Sequence, residues 1–118
     1  MTDYLFAYGL LMEPGQARDA TLPDHGLIDL GFFPGAVPMA GKFVKGQLIR
    51  VEPGMWDELD RIEGVHRGLY IRKPAIVLTP EGEESAQFYL WGEQDWSRHR
   101  VIAGGDWAAR KEGFDDLG

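Results

Sequence analysis

The sequence contains no cysteine, only three histidines and no apolar run that approaches the about 18 residues needed by a membrane-spanning helix. The lack of cysteine excludes a disulfide framework, a thiolate zinc site and a cysteine nucleophile. Three scattered histidines give no indication of a metal cluster. Basic side chains are also scarce: 12 Lys and Arg stand against 19 Asp and Glu, and the net charge is −7. A charge of that sign repels phosphate backbones, so we expect no nucleic-acid partner and no membrane partner, whereas a small anion could still bind a local patch.

Apolar and aromatic residues are plentiful enough for a single folded core. The 118 residues are 44% hydrophobic and 12% aromatic, which is the composition of an ordinary globular domain. Sixteen glycines and seven prolines are spread along the chain and do not gather into a linker. We therefore predict one domain over residues 1–118. The N-terminus lacks the basic region and cleavage site of a secretory signal, which predicts a cytoplasmic location.

The pattern of apolar residues predicts mainly strands, bounded by glycine and proline. The predicted strands cover residues 4–8, 27–33, 42–51, 70–79 and 85–91, with a hairpin turn at 80–83. The predicted helices cover residues 16–21, 53–63 and 106–112. Because strands and helices do not alternate, an antiparallel or mixed closed sheet with outer helices is favoured over a doubly wound parallel sheet.

The helix predicted from Pro53 to Glu63 places one carboxylate among apolar side chains. On a helical wheel of about 100° per residue, Glu63 falls inside the apolar stripe formed by Met55, Trp56, Leu59 and Ile62. Desolvation and the partial negative charge of a helix C-terminus would both raise its pKa. A carboxyl group with a raised pKa suits general acid-base catalysis near neutrality. If the helix ended one residue earlier, Glu63 would instead face solvent.

The end of the first predicted strand is a second candidate site. Gly9 permits backbone conformations that aim successive N–H groups at one point, and such a concavity binds a carboxylate or an oxyanion. An ordinary turn is the alternative interpretation. Five aromatic residues could line a pocket beside it or belong to the core: Tyr8, Tyr70, Tyr89, Trp91 and Trp96.

Two short motifs connect these candidates. Residues 6–12, FAYGLLM, resemble the YGSL or YGTL signature of the gamma-glutamylcyclotransferase-like (AIG2-like) superfamily, and residues 59–64, LDRIEG, resemble its LDxxEG motif. Weaker matches follow the family's order at residues 30–35, 44–48, 70–72, 87–91 and 104–107. The ordered set covers nearly the whole chain.

The resemblance implies a fold, an activity and a set of site residues. The fold would be α+β, a small mixed β-barrel of five or six strands with short outer helices. The activity would be intramolecular: the α-amine of a gamma-glutamyl amine or peptide attacks its own γ-carbonyl and gives 5-oxoproline plus a free amine. Glu63 would be the general acid and base, and no metal or organic cofactor would be needed. Substrate-binding residues would be Tyr8, Gly9, Leu10 and Leu11, with Tyr89 as a further candidate.

The chain departs from the family signature at Leu10, which stands where the family has Ser or Thr. Backbone donors survive this change, but a side-chain hydroxyl does not. Two hypotheses therefore stay open: a cyclotransferase, which the presence of Glu63 favours, and a non-catalytic barrel that binds a small carboxylate or amine, which Leu10 favours. The leaving amine and the oligomeric state stay undetermined by the sequence.

Overall fold

The structure is a computed structural model that describes residues 3–9 and 18–109. The main elements are six strands and the α-helix α1: β1 (Asp3–Ala7), β2 (Arg18–Asp29), β3 (Pro34–Val51), α1 (Trp56–Ile62), β4 (Tyr70–Thr79), β5 (Gly82–Trp91) and β6 (Arg100–Val101). Three 3₁₀ turns accompany them at Pro53–Met55, Val65–Arg67 and Ala103–Gly105. No helix in these described ranges has the length and apolar character to cross a bilayer.

The strands pair into a ring-like mixed sheet. The antiparallel pairs run β1–β3–β2–β4–β5, and a parallel contact between Leu5 and Gln87 joins β5 back to β1. A second parallel contact links β3 to β5, and β6 extends the sheet beside β2. The predicted α+β fold, with a mixed sheet of five or six strands and few short helices, is confirmed.

The hairpin of β4 and β5 follows its sequence signals closely. β4 has the predicted bounds, and Thr79 lies opposite Gly82 across the turn. Gly82 has φ of +125°, a conformation that favours glycine, and the Thr79 hydroxyl donates to the Gly82 carbonyl at 2.8 Å. β5 begins at this turn, three residues before the predicted start at Ser85.

The bounds of β2 differ from the prediction at both ends. The helix expected over residues 16–21 is wrong, because residues 18–21 open β2 and pair with β3, while residues 16 and 17 lie outside the described residues. Long-range strand pairing here overrides a weak local preference for helix. The strand expected over residues 27–33 ends at Asp29, and the N–H of Leu30 donates to the carbonyl of Phe33 at 3.1 Å in the turn that follows.

β3 is also longer than expected. It starts at Pro34, eight residues before the predicted start at Lys42, and continues through Gly41 at φ of +78°. The glycines and prolines that indicated loops therefore bend a continuous strand. At the C-terminal end, residues 107–109 are helical as expected for part of 106–112, and residues 110–112 lie outside the described residues.

Both faces of β1 are buried, which explains its uninterrupted apolar sequence. Phe6 packs on one side in a cluster with core residues of β2 and β3, and Leu5 packs on the other with Trp56 of α1. The indole N–H of Trp56 donates to the Asp3 carboxylate at 3.2 Å. These contacts pack the start of α1 against β1, and the candidate site lies further along, at the C-terminal end of β1.

Candidate functional site

A cavity of about 210 Å³ opens between the end of β1 and the end of α1. Its polar lining comes from Glu63 and from three tyrosines, Tyr8, Tyr70 and Tyr89, and Gly9 contributes backbone. The remaining wall is apolar: Leu5, Phe6, Ala7, Phe33, Pro34, Ile62 and Leu69. The cavity is thus a mostly hydrophobic pocket with a few convergent polar groups, as is usual for small-molecule sites.

The sequence Glu63-Gly64 determines how α1 presents its last carboxylate. Glu63 caps the helix, and its N–H donates to the Leu59 carbonyl at 3.0 Å. Gly64 follows in the left-handed conformation with φ of +69°, and its N–H donates to the Arg61 carbonyl at 3.2 Å. α1 thus ends at Ile62, one residue before the predicted end, yet the partly buried Glu63 lines the pocket and does not turn out to solvent.

Burial raises the pKa of Glu63, as its position on the wheel predicts. No hydrogen bond to its carboxylate comes from the described residues. The pKa values of Tyr8, Tyr70 and Tyr89 are all raised as well, mainly by burial, and the charge of Glu63 adds to the rise in each. Glu63 is therefore a carboxylate that shares the pocket with three phenols and whose pKa burial raises.

Two of the tyrosines are anchored to backbone through their hydroxyls. Tyr8 donates to the carbonyl of Tyr89 and accepts from the N–H of Ala36 at 3.2 Å. Tyr70 donates to the carbonyl of Pro34 at 2.6 Å. These bonds tie four strand segments together around the pocket and hold its walls in place.

The third tyrosine belongs to a charged network. The Tyr89 hydroxyl donates to Asp60 Oδ1 at 2.8 Å, and Arg72 Nε donates to the same oxygen at 3.0 Å. The Arg72 guanidinium also lies 4.6 Å from the ring centroid of Trp56, within cation-π range. The Asp60–Arg72 pair is partly shielded, with side-chain exposures of 16% and 27%.

The sequence reasoning missed the roles of Asp60 and Arg72, although a signal existed. The hairpin turn at residues 80–83 sets a register that places Arg72 opposite Tyr89, so these two residues are cross-strand neighbours. Asp60 lies three positions before Glu63, on the same side of a helix. Combining the register with the wheel would have indicated the network.

The apolar stripe of the wheel needs a correction. Met55 and Ile62, which were expected to be buried, are 46% and 54% exposed, whereas Trp56 is buried. Met55 belongs to the 3₁₀ turn that precedes the short helix, and Ile62 lies at the pocket wall, away from the core clusters. The residues that α1 and its C-terminal cap turn toward the interior therefore include Trp56, Asp60 and Glu63.

Four of the six predicted site residues meet at one pocket: Tyr8, Gly9, Glu63 and Tyr89. Leu10 and Leu11 lie outside the described residues. A Cβ on Gly9 would come within 2.8 Å of Pro34 Cγ, so the close approach of that ring requires glycine there. Trp91 packs edge-on against Tyr70 at 5.2 Å, and Trp96 is not among the lining residues.

The described ranges hold no group of three or more His, Asp or Glu placed to bind a metal ion. What they do assemble is one partly buried carboxylate with a raised pKa, which shares a mostly apolar pocket with three phenols. This arrangement can bind a small organic molecule and move a proton on it.

Comparison with known proteins identifies relatives of this chain by sequence and by fold. The family model "Gamma-glutamyl cyclotransferase, AIG2-like" matches residues 5–109. The gamma-glutamylcyclotransferase family protein YtfP of Escherichia coli (strain K12) is 33% identical over 92 residues, which are 78% of this chain and 75% of that protein. The solution NMR structure of protein ytfP from Escherichia coli has a TM-score of 0.66 at 30% identity, covering 92% of this chain and 98% of that chain. The crystal structure of an AIG2-like protein from Mus musculus has a TM-score of 0.70 at 20% identity, covering 86% of both chains, and shows likeness of fold.

Proposed function

Because this chain belongs to the gamma-glutamyl cyclotransferase, AIG2-like family, we propose that it converts a gamma-glutamyl amine or peptide to 5-oxoproline and a free amine, with Glu63 as general acid and base. The observation that supports this most is the partly buried carboxylate of Glu63, which shares one pocket with Tyr8, Gly9 and Tyr89. Burial raises its pKa toward the range in which a carboxylate both accepts and returns protons.

The reaction begins with a proton transfer. At neutral pH the α-amine of a gamma-glutamyl compound is protonated, so its nitrogen has no lone pair with which to attack. The Glu63 carboxylate takes one proton. The free amine then attacks the γ-carbonyl carbon of the same molecule, and a new C–N bond closes a five-membered ring with negative charge on the carbonyl oxygen.

The second half of the reaction expels the amine. The tetrahedral intermediate collapses, the bond to the departing nitrogen breaks, and Glu63 delivers its proton to that nitrogen. The ring nitrogen loses a second proton, which also ends on the departing amine. The products are 5-oxoproline and an ammonium ion, so protons and charge balance without a metal or an organic cofactor.

The pocket supports this chemistry by holding one conformer. Both reacting groups belong to one substrate, so fixing a folded conformation supplies much of the rate advantage. By resemblance to the family signature, we assign the substrate's α-carboxylate to the segment from Tyr8 to Leu11, of which Tyr8 and Gly9 line the pocket. The apolar walls exclude water and strengthen the electrostatic interactions inside.

A substrate screen tests the proposal. The protein is incubated with gamma-glutamyl amino acids, peptides and alkylamides, and 5-oxoproline is quantified against samples without enzyme. We expect product from at least one class in wild type and none above background in Glu63→Gln. Absence of product from every compound, together with measurable binding of one of them, would favour the non-catalytic binding hypothesis instead.

A further inference from the structure

The directions of the three tyrosine hydroxyl bonds are dictated by their partners. Tyr8 and Tyr70 donate to backbone carbonyls, which can only accept. Tyr89 donates to Asp60, because the same Asp60 oxygen already accepts from the guanidinium of Arg72, which can only donate. All three phenolic protons are therefore committed to acceptors other than Glu63.

The oxygen lone pairs remain for a ligand. Tyr8 already accepts from the N–H of Ala36, but no described residue donates to the hydroxyl oxygen of Tyr70 or Tyr89. With the Glu63 carboxylate, the polar side chains of the pocket then offer acceptors to whatever binds there. A primary ammonium group, which carries three N–H donors and a positive charge, is the complementary ligand chemistry.

We propose that Asp60 is a positioning residue: it fixes the proton of the Tyr89 hydroxyl so that the Tyr89 oxygen accepts from the substrate's ammonium group beside Glu63. The identity of that ammonium group, the α-amine of a gamma-glutamyl compound, rests on the proposed function. Asp60 itself contacts Tyr89 and Arg72, and it positions the ligand indirectly, through Tyr89.

Arg72 makes this arrangement possible. Asp60 lies one helical turn before Glu63, so its negative charge would otherwise oppose ionisation of Glu63. The guanidinium of Arg72 neutralises Asp60 and is itself held over Trp56. Without an acceptor at position 60, the Tyr89 hydroxyl would be free to donate to Glu63 in the same pocket, and the ammonium group would lose one of its partners.

A double-mutant cycle on kcat/KM tests the coupling between the two residues. We expect Asp60→Ala and Tyr89→Phe each to lower kcat/KM about tenfold or more, which is the fold-change of about 1.4 kcal/mol. When kcat/KM is compared on its pH-independent plateau, the double variant should be no worse than Tyr89→Phe alone, because Asp60 acts there through the hydroxyl that this variant lacks. Asp60→Asn keeps the accepting oxygen and should retain most of the activity. Independent, multiplying losses would show that Asp60 acts by another route.

Ligand binding supplies a readout that needs no turnover. L-norleucine carries the α-carboxylate and α-ammonium of a gamma-glutamyl amide on a straight chain whose sixth carbon stands in place of the amide nitrogen, and hexanoate lacks only the ammonium. In NMR titrations we expect Asp60→Ala and Tyr89→Phe to weaken norleucine binding about tenfold and to leave hexanoate binding unchanged, while circular dichroism confirms folding.

Failure of the positioning role of Asp60 and failure of the proposed reaction give different results. Equal weakening of both ligands, or of neither, would overturn the positioning role even if wild type forms 5-oxoproline. Loss confined to norleucine, in a protein that forms no 5-oxoproline, would overturn the proposed reaction and leave the ammonium site standing.

Discussion

The hydroxyl of Tyr70 donates to the carbonyl of Pro34 at 2.6 Å, although the two residues lie 36 positions apart on β4 and β3. Both residues line the pocket, and the bond is buried. It therefore holds two walls of the candidate site at a fixed separation.

Removing this bond should weaken the fold. We expect Tyr70→Phe to lower the free energy of unfolding by about 1–2 kcal/mol, because the buried Pro34 carbonyl loses its donor. Tyr4→Phe is the matched control, since Tyr4 makes a cation-π contact with Arg18 that does not depend on its hydroxyl. Urea denaturation of both variants checks the prediction, and equal stability of the two would contradict it.

A second prediction concerns the glycine that ends α1. Alanine at Gly64 must adopt φ near +69°, which costs about 1–2 kcal/mol, and its Cβ would lie 3.1 Å from the Cβ of Leu69 on the pocket wall. Gly68 has a similar φ of +73° with no neighbouring atom within 4 Å, so Gly68→Ala isolates the backbone strain. We expect both variants to lose stability in urea denaturation, and Gly64→Ala to lose more and to lose turnover severalfold. A Gly68→Ala variant as impaired in turnover as Gly64→Ala would show that the contact with Leu69 is unimportant.

The parts of the fold that the sequence predicts are those with local signals. Pro53 at the start and Gly64 at the end define the helical segment, and the turn at residues 80–83 defines the β4–β5 hairpin. The predicted bounds of β2 and β3 were wrong because these strands are stabilised by pairing with each other along most of their length. Local propensity carries no information about such a distant partner.

The candidate site likewise has a part that local sequence predicts and a part that depends on distant contacts. The position of Glu63 among apolar side chains could be predicted from a helical wheel, because its neighbours along the helix are close in sequence. The network of Asp60, Arg72 and Tyr89 joins α1 to two strands, and the three residues meet only after the hairpin packs on the helix. Predicting this network requires both the register of β4 and β5 and the face that α1 turns inward.

The charges beside Glu63 should shift its pKa in opposite directions. Tyr8, Tyr70 and Tyr89 line the pocket with Glu63, and the Asp60–Arg72 pair contacts Tyr89. Arg72→Gln leaves the negative charge of Asp60 uncompensated, which should raise the pKa of Glu63 and move the acid limb of kcat/KM to higher pH. Asp60→Asn leaves the positive charge of Arg72 and should move that limb to lower pH.

A control variant separates this effect from net charge. Arg61 pairs with Glu58 on the exposed side of α1, so Arg61→Gln removes the same charge where solvent screens it. ¹³C NMR titration of the Glu63 carboxyl measures the shift directly in all three variants. Shifts of the same sign for Asp60→Asn and Arg72→Gln would contradict the electrostatic explanation.

Leu10 offers a test of substrate range. Leu10→Ser restores the hydroxyl of the family signature and should raise activity on generic gamma-glutamyl substrates if loss of that hydrogen bond limits them. If Leu10 contacts an apolar leaving group, the same change should lower activity on the native substrate. Leu10→Ala is the control, because it removes the side chain without adding a donor. Steady-state kinetics that are identical for wild type and both variants would make position 10 irrelevant to catalysis.

The last prediction concerns the two effects of Glu63 on stability and on turnover. Burial raises its pKa in the folded state above the unfolded value of about 4.3. Below that value the carboxyl is protonated in both states and imposes no penalty; as pH rises through the folded-state pKa, the buried charge destabilises the fold. Glu63→Gln keeps the shape without the charge, so it should be at least as stable as wild type at pH 7, and any advantage should vanish near pH 4.

The same substitution should abolish the chemistry. If Glu63 is the proton carrier, Glu63→Gln should lose at least about two orders of magnitude in kcat, the lower end for general acid-base catalysis. Glu52→Gln, which removes an exposed carboxylate just before the 3₁₀ turn that leads into α1, is the control and should keep both activity and stability. Thermal melts at pH 4 and pH 7 and assays of 5-oxoproline on the same samples measure both effects. A Glu63→Gln variant that forms 5-oxoproline at the wild-type rate would remove Glu63 from the mechanism, because no amide can accept and return the proton that cyclisation requires.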